Sequence, residues 1–170
     1  MIEKEKNTCY ILLGTNQGEK ALNLKTARKK IGETLGVVKQ FSAIYETEPW
    51  GRSEQDTFLN QVLEVETTND PDQTLSLCLG IEKTMGRIRI EKWMERIIDI
   101  DILYFNEAII STDDLIVPHP EIQNRRFTLV PLVEITPDYI HPVMKKSNKE
   151  FLDECPDPLK VKRFVSDGLE

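Results

Sequence analysis

The chain is short of the residues that cross-link a fold or hold soft metals. Its 170 residues include three cysteines, Cys9, Cys78 and Cys155, and two histidines. The cysteines are odd in number, far apart and without a CxxC pair, which argues against a disulfide frame or a zinc site and suits a reducing compartment. With two histidines a His-based metal centre is not expected either. No apolar run approaches the ~20 residues that cross a bilayer. Met1–Asn7 is charged and lacks the apolar core of a signal peptide. The expectation is a soluble cytoplasmic protein that uses no membrane. GxGxxG is absent, so the turn after Gly14 is not a dinucleotide loop. Positive charge is also in deficit: the net charge of −7 argues against a broad nucleic-acid surface while leaving room for a local basic pocket. Hydrophobic and charged shares of 39% and 30% describe a globular chain, and its length suits one domain over residues 1–170 with no repeat or linker.

What the chain does have is centred on Arg96-Ile97-Ile98-Asp99-Ile100-Asp101-Ile102-Leu103-Tyr104. On a strand, Asp99 and Asp101 point one way while Ile98, Ile100 and Ile102 point the other. Two strand steps place the aspartate Cα atoms about 6.6 Å apart, close enough to share hard cations. Basic side chains stand nearby in Arg87, Arg89, Lys92, Arg96, His119 and Arg125. Carboxylates for Mg²⁺ beside arginines for phosphate are the parts of a phosphoryl-transfer site. Taken alone, the Asp-x-Asp reads more often as a half-exposed strand whose polar face meets water.

Around this stretch the pattern predicts a strand at Thr8–Leu13 and a helix over Glu19–Leu35 capped by Gly36. Strands follow at Val37–Tyr45, one face of which carries Val37, Phe41, Ala43 and Tyr45, and at Phe58–Glu66. Asp70-Pro71-x-Gln73 opens a second helix with Leu75, Cys78, Leu79 and Met85 inward and Gly86 at its end. Thr47–Ser53 and Gly86–Glu95 read as loops. A short strand at Glu107–Ile110, a helix at Arg126–Val133 and a helical turn near Ser147–Cys155 complete the prediction. The order β-α-β-β-α-β is an α+β, ferredoxin-like split βαβ, an antiparallel sheet with helices on one face and the other open to a ligand, followed by C-terminal additions.

The segments Leu13-Gly14-Thr15-Asn16, Tyr45-Glu46-Thr47-Glu48-Pro49-Trp50-Gly51, Phe58-Leu59-Asn60, Glu82 through Arg89, Arg96 through Leu103, Val117-Pro118-His119-Pro120 and Asn124-Arg125-x-Phe127 are specific in their order and spacing. In these the chain resembles the 6-hydroxymethyl-7,8-dihydropterin pyrophosphokinase family from about Tyr10 to Pro142. The resemblance implies transfer of the diphosphate of ATP to the hydroxymethyl group of a reduced pterin, within folate biosynthesis, with ATP as co-substrate and two Mg²⁺ ions. It implies Asp99 and Asp101 as metal ligands and Arg87 and Arg96 as catalytic residues at the reacting phosphates. Glu82, Arg89, Lys92, Ile102, His119 and Arg125 match nucleotide positions. Thr47, Pro49, Trp50, Phe58, Asn60, Trp93 and Phe127 match the pterin pocket. The expected partners are these small molecules, with a monomer needing no protein partner and no nucleic acid.

The roles suit the residue types. Guanidinium forks fit phosphate oxygens, rings stack on a flat bicycle, and an amide both donates and accepts at the pterin edge. No covalent nucleophile stands out, so direct attack by the pterin hydroxyl is expected, with no general base assigned. Trp93-Met94-Glu95-Arg96 departs from the family's usual Trp-Gly-Pro-Arg and changes the backbone preferences of that loop. The alternatives are another two-metal nucleotide enzyme on the same sheet, a nucleotidyl transferase or cyclase that releases pyrophosphate, and a non-catalytic ferredoxin-like ligand-binding module.

Overall fold

Burial along the first strand already shows how the molecule is layered, because β1 (Asn7–Thr15) is apolar on both faces and buried from Cys9 onward. The computed structural model describes residues 3–48, 57–86 and 97–165. After β1 come α1 (Lys20–Thr34), β2 (Val37–Phe41), β3 (Tyr45–Thr47), β4 (Phe58–Thr67), α2 (Pro71–Thr84) and β5 (Asp99–Phe105). A small hairpin of β6 (Ile110–Ser111) and β7 (Ile116–Val117) follows, then a 3-10 turn at Ile122–Asn124, α3 (Arg126–Ile135), α4 (Asn148–Glu154) and β8 (Val161–Arg163). The main sheet runs β5-β1-β4-β3-β8 with β2 also on β4, and each of its pairings is antiparallel.

The sheet is covered on both sides. Cys9, Ile11 and Leu13 of β1, Leu59 and Leu63 of β4, and Ile100 and Ile102 of β5 pack under Leu24, Ala27 and Ile31 of α1 and Cys78 and Ile81 of α2. On the other face Tyr10, Leu12, Val62 and Leu103 meet Leu129 and Leu132 of α3 and Phe151 of α4. Each fully buried aliphatic side chain in these clusters contributes about 1.5–3 kcal/mol relative to exposure. The second face is therefore not open as expected. The C-terminal elements cover most of it and leave a cavity at one end.

Local chemistry accounts for the boundaries. Asp70 accepts the amide of Gln73 at 2.8 Å while Gln73 accepts that of Asp70 at 2.9 Å, the capping box that the sequence announces for α2. Gly86 ends this helix at φ +95°, a left-handed conformation that favours glycine. Gly36 matters for a different reason from the cap expected there: a Cβ would meet the carbonyl oxygen of Glu66 at 2.0 Å, so its role is to let α1 approach β4. The predicted Val37–Tyr45 strand is broken at Ser42, whose Oγ accepts the amide of Val62 at 3.0 Å. Leu79 is exposed rather than inward, the α2 core face being Thr74, Cys78, Ile81 and Glu82. Val37 and Phe41 are exposed as well; the Arg28 guanidinium lies 4.2 Å from the Phe41 ring.

Candidate active site

One row of paired residues crosses the sheet where the cavity opens. Asp99 pairs with Gly14, Gly14 with Asn60, Asn60 with Tyr45, and Tyr45 with Arg163. Strands lie about 4.7–4.9 Å apart, so the Asp99 and Asn60 backbones stand roughly 10 Å apart across Gly14. A Cβ on Gly14 would sit 2.7 Å from Asn60 Oδ1, so the amide lies over the bare glycine. The gap between carboxylate and amide is open because the residue between them has no side chain.

The cavity, about 750 Å³, takes its floor from Leu12, Gly14, Asn60, Asp99 and Asp101. Thr47, Glu48 and Phe58 form one wall, and Glu121, Asn124, Arg125 and Phe127 another. A volume of this size suits a small-molecule site. Strand alternation does here what the sequence suggests: Asp99 and Asp101 are half-buried at the cavity while Ile98, Ile100 and Ile102 are buried in the helix-side core. Thr15 donates its hydroxyl to the carbonyl of Ile97 at 2.5 Å, tethering the chain as it enters β5. At the last turn of α2, Glu82 is buried and its Oε1 accepts the Ile100 amide at 3.3 Å. It is not a surface charge.

His119 is fixed at both ends. Its amide donates to the carbonyl of Leu103 at 2.9 Å and its Nδ1 accepts the amide of Glu121 at 3.1 Å. An accepting Nδ1 leaves the proton of the neutral ring on Nε2. Burial pushes the imidazole below its ordinary pKa, opposed by the Asp101 carboxylate and reinforced by Arg125. The Arg125 guanidinium lies 5.7 Å from the Phe127 ring centre. Thr47 Oγ1 is buried at the cavity wall with no hydrogen-bond partner among the described residues. A buried hydroxyl of this kind is suited to a ligand's polar edge.

Thus Thr47, Phe58, Asn60, Asp99, Asp101, Arg125 and Phe127 are gathered on one cavity. His119 stands behind it, near enough to feel Asp101 and Arg125. Ile102 is apart, its side chain buried in the helix-side core at 5% exposure, so only its main chain is left for a ligand on the far face. Pro49, Trp50, Arg87, Arg89, Lys92, Trp93 and Arg96 lie outside the described residues. Glu48 and Asn124, quoted within the family segments but given no role, also line the cavity, as do Glu121 and Pro156, Asp157, Pro158 and Leu159 of the tail, which the sequence did not single out. No local pattern marks the tail residues, since their partners are distant in sequence.

Among the described residues no group of three or more His, Cys, Asp or Glu side chains is gathered for a metal; the carboxylates at the cavity floor are Asp99 and Asp101. No helix among them is long and apolar enough to cross a membrane.

Residues 10–137 match the family model described as 7,8-dihydro-6-hydroxymethylpterin-pyrophosphokinase. A 2-amino-4-hydroxy-6-hydroxymethyldihydropteridine pyrophosphokinase of Methylorubrum extorquens is 42% identical over 132 residues, covering 77% of this chain and 84% of the relative. Its namesake in Aquifex aeolicus is 41% identical over 147 residues, covering 86% of this chain and 91% of the relative. Among solved structures, an HPPK-DHPS triple mutant of Plasmodium falciparum superposes with a TM-score of 0.75 at 20% identity. That match covers 89% of this chain and 44% of the solved one, and it bears on the fold alone.

Proposed function

The chain belongs to the 7,8-dihydro-6-hydroxymethylpterin-pyrophosphokinase family, and from this membership we infer that it transfers the diphosphate of ATP to 6-hydroxymethyl-7,8-dihydropterin in folate synthesis. The pterin hydroxyl oxygen attacks the β-phosphorus of ATP, the bond from that phosphorus to the α,β-bridging oxygen breaks, and AMP departs with the electron pair. The hydroxyl proton is lost, and no residue is assigned as its base. Enzymes of this type gain mainly from positioning and charge neutralisation, since the phosphoryl group needs no covalent help.

The observation that carries the residue assignments is the row Asp99–Gly14–Asn60 on one cavity floor. It puts a carboxylate pair and an amide on either side of a gap, which suits phosphate at one end and a pterin at the other. The aspartates offer hard oxygen donors of the kind Mg²⁺ takes. Two Mg²⁺ ions held by Asp99 and Asp101 would supply neutralisation of the phosphate charge. Asn60, with its paired donor and acceptor, is assigned to the pterin amide edge, Thr47 to a neighbouring polar atom, and Phe58 and Phe127 to its ring faces. Pro49, Trp50 and Trp93 complete the pterin set. Arg125 and His119 are assigned to the nucleotide with Glu82, Arg89, Lys92 and the Ile102 main chain, and Arg87 and Arg96 to the reacting phosphates. Glu82 acts on this reading through β5, by holding the Ile100 amide between the two aspartates.

The strand path β5-β1-β4-β2 supports the split βαβ reading of the sheet. The same reading takes residues 1–170 as one pyrophosphokinase domain, a monomer acting in the cytoplasm, with Cys9, Cys78 and Cys155 free as a reducing compartment would leave them. The test is phosphorus NMR of the protein with ATP, Mg²⁺ and the dihydropterin. AMP and a pterin diphosphate, each requiring Mg²⁺ and pterin, are expected. Pyrophosphate release, or no reaction by folded protein, would overturn the reading.

A further inference from the structure

The family match ends at residue 137, yet the cavity wall does not. Pro156, Asp157, Pro158 and Leu159 line it too. They are held at both ends. At one end Arg126, the first residue of α3, donates its amide to Asp157 Oδ2 at 3.1 Å, its Nε to the carbonyl of Asp157 at 3.1 Å and Nη2 to the carbonyl of Cys155 at 3.2 Å. Asp157 Oδ1 accepts the amide of Leu159 at 2.9 Å, which bends the tail back on itself. At the other end β8 joins the sheet, with Val161 paired to Thr47.

The segment therefore spans the distance between Phe127, next to Arg126 on α3, and Thr47 at the end of β3. The Asp157 carboxylate also satisfies a first-turn amide of α3, where the helix terminus leaves donors unmet and favours negative charge. The groups presented to the cavity include two prolines and a leucine, stiff or branched surfaces that shape a cavity at little entropic cost.

We propose that Arg126 and Asp157 form a clamp that positions the tail Pro156–Leu159 as the end wall of the pterin pocket, making this pair determinants of pterin affinity without contact to the reacting phosphates. This inference rests on the assignment of Thr47, Asn60 and Phe127 to the pterin. Asp157 and Arg126 are positioning residues, since they act through the wall they hold. The far end of the tail runs into β8, which β1, β4 and β3 separate from the Asp99 strand, so loosening the tail should act on the pterin end before the phosphate end.

The experiment is steady-state kinetics with calorimetric titration of 6-hydroxymethylpterin on the full chain, comparing Asp157→Ala, Asp157→Asn, Arg126→Met and Asn60→Ala. Asp157→Ala is expected to raise the pterin KM and Kd about tenfold, equivalent to one lost charge-assisted hydrogen bond, with kcat and the ATP KM within about twofold. Asp157→Asn keeps one of the two accepted amides and should recover part of the loss. Arg126→Met keeps the main-chain bond and should give a smaller rise, which also provides a readout if Asp157→Ala fails to fold. Weakened pterin binding in Asn60→Ala with none in Asp157→Ala or Arg126→Met would overturn the clamp alone. Equal losses in pterin affinity, ATP affinity and kcat would overturn it as well, marking a structural role only. Unchanged pterin binding in Asn60→Ala would overturn the pterin assignment, and the clamp with it.

Discussion

The two faces of β5 carry opposite duties on one strand. Ile98, just before the strand, and Ile100 and Ile102 on it are at most 5% exposed and belong to the core under α1 and α2. Asp99 and Asp101, interleaved with them, floor a cavity. On the proposed reading stability resides on one face and chemistry on the other, separated by a single residue step. Substitutions on the two faces should consequently fail in different ways, a separation that experiment can probe directly.

The largest effect is expected on the polar face. Asp99→Ala or Asp101→Ala should lower Mg²⁺-dependent AMP formation by on the order of 10³-fold or more, with melting temperature little changed. Near-normal turnover in either would sink the metal assignment. On the dry face, Ile100→Ala should cost about 2–5 kcal/mol of stability by cavity formation, seen as an earlier denaturant midpoint. Its remaining folded fraction should turn over substrate, and an intact midpoint would break the comparison from the other side.

A smaller effect sharpens the boundary between the two ends of the cavity. Gly14→Ala would push a methyl toward Asn60 Oδ1, which the glycine leaves 2.7 Å from the added carbon. The pterin KM should rise about tenfold, while the ATP KM stays near wild type; a shift confined to ATP would contradict the placing of the pterin at Asn60.

The smallest effect is in pH. Burial lowers the pKa of both His119 and His141 from 6.5, and the His141 Nδ1 accepts the amides of Val143 and Met144 at 3.2 and 3.0 Å. The unfolded chain thus binds more protons, so stability should fall as pH drops through about 6.5 and level off below the folded values. His141→Gln should flatten part of that slope in denaturant titrations between pH 7.5 and 5.5. An unaltered slope would show that other groups set it.

How much of this was legible depends on the range of the forces involved. Alternation along β5 and the Asp70–Gln73 capping box are local, and both were readable from adjacent residues. So was the class, a sheet of antiparallel strands with helices against it. The break at Ser42 was not, because its hydrogen bonds run to Val62 on another strand. Gly36 was seen as an ending, but its reason is the carbonyl of Glu66 pressing on it. Family resemblance picked out Thr47, Phe58, Asn60, Asp99, Asp101, Arg125 and Phe127, which share the cavity, while the shape of that cavity was not legible. The tail looked like turns alone, since Asp157 finds Arg126 across 31 positions and Val161 finds Thr47 across 114.

The measurement that tests the central claim most directly is AMP formation by Asp101→Ala and Ile100→Ala side by side, each with its melting curve, across a Mg²⁺ titration. Turnover lost with stability kept in the first, and stability lost with turnover kept in the second, is the predicted result. Both properties falling together in both variants would contradict a strand divided between core and chemistry.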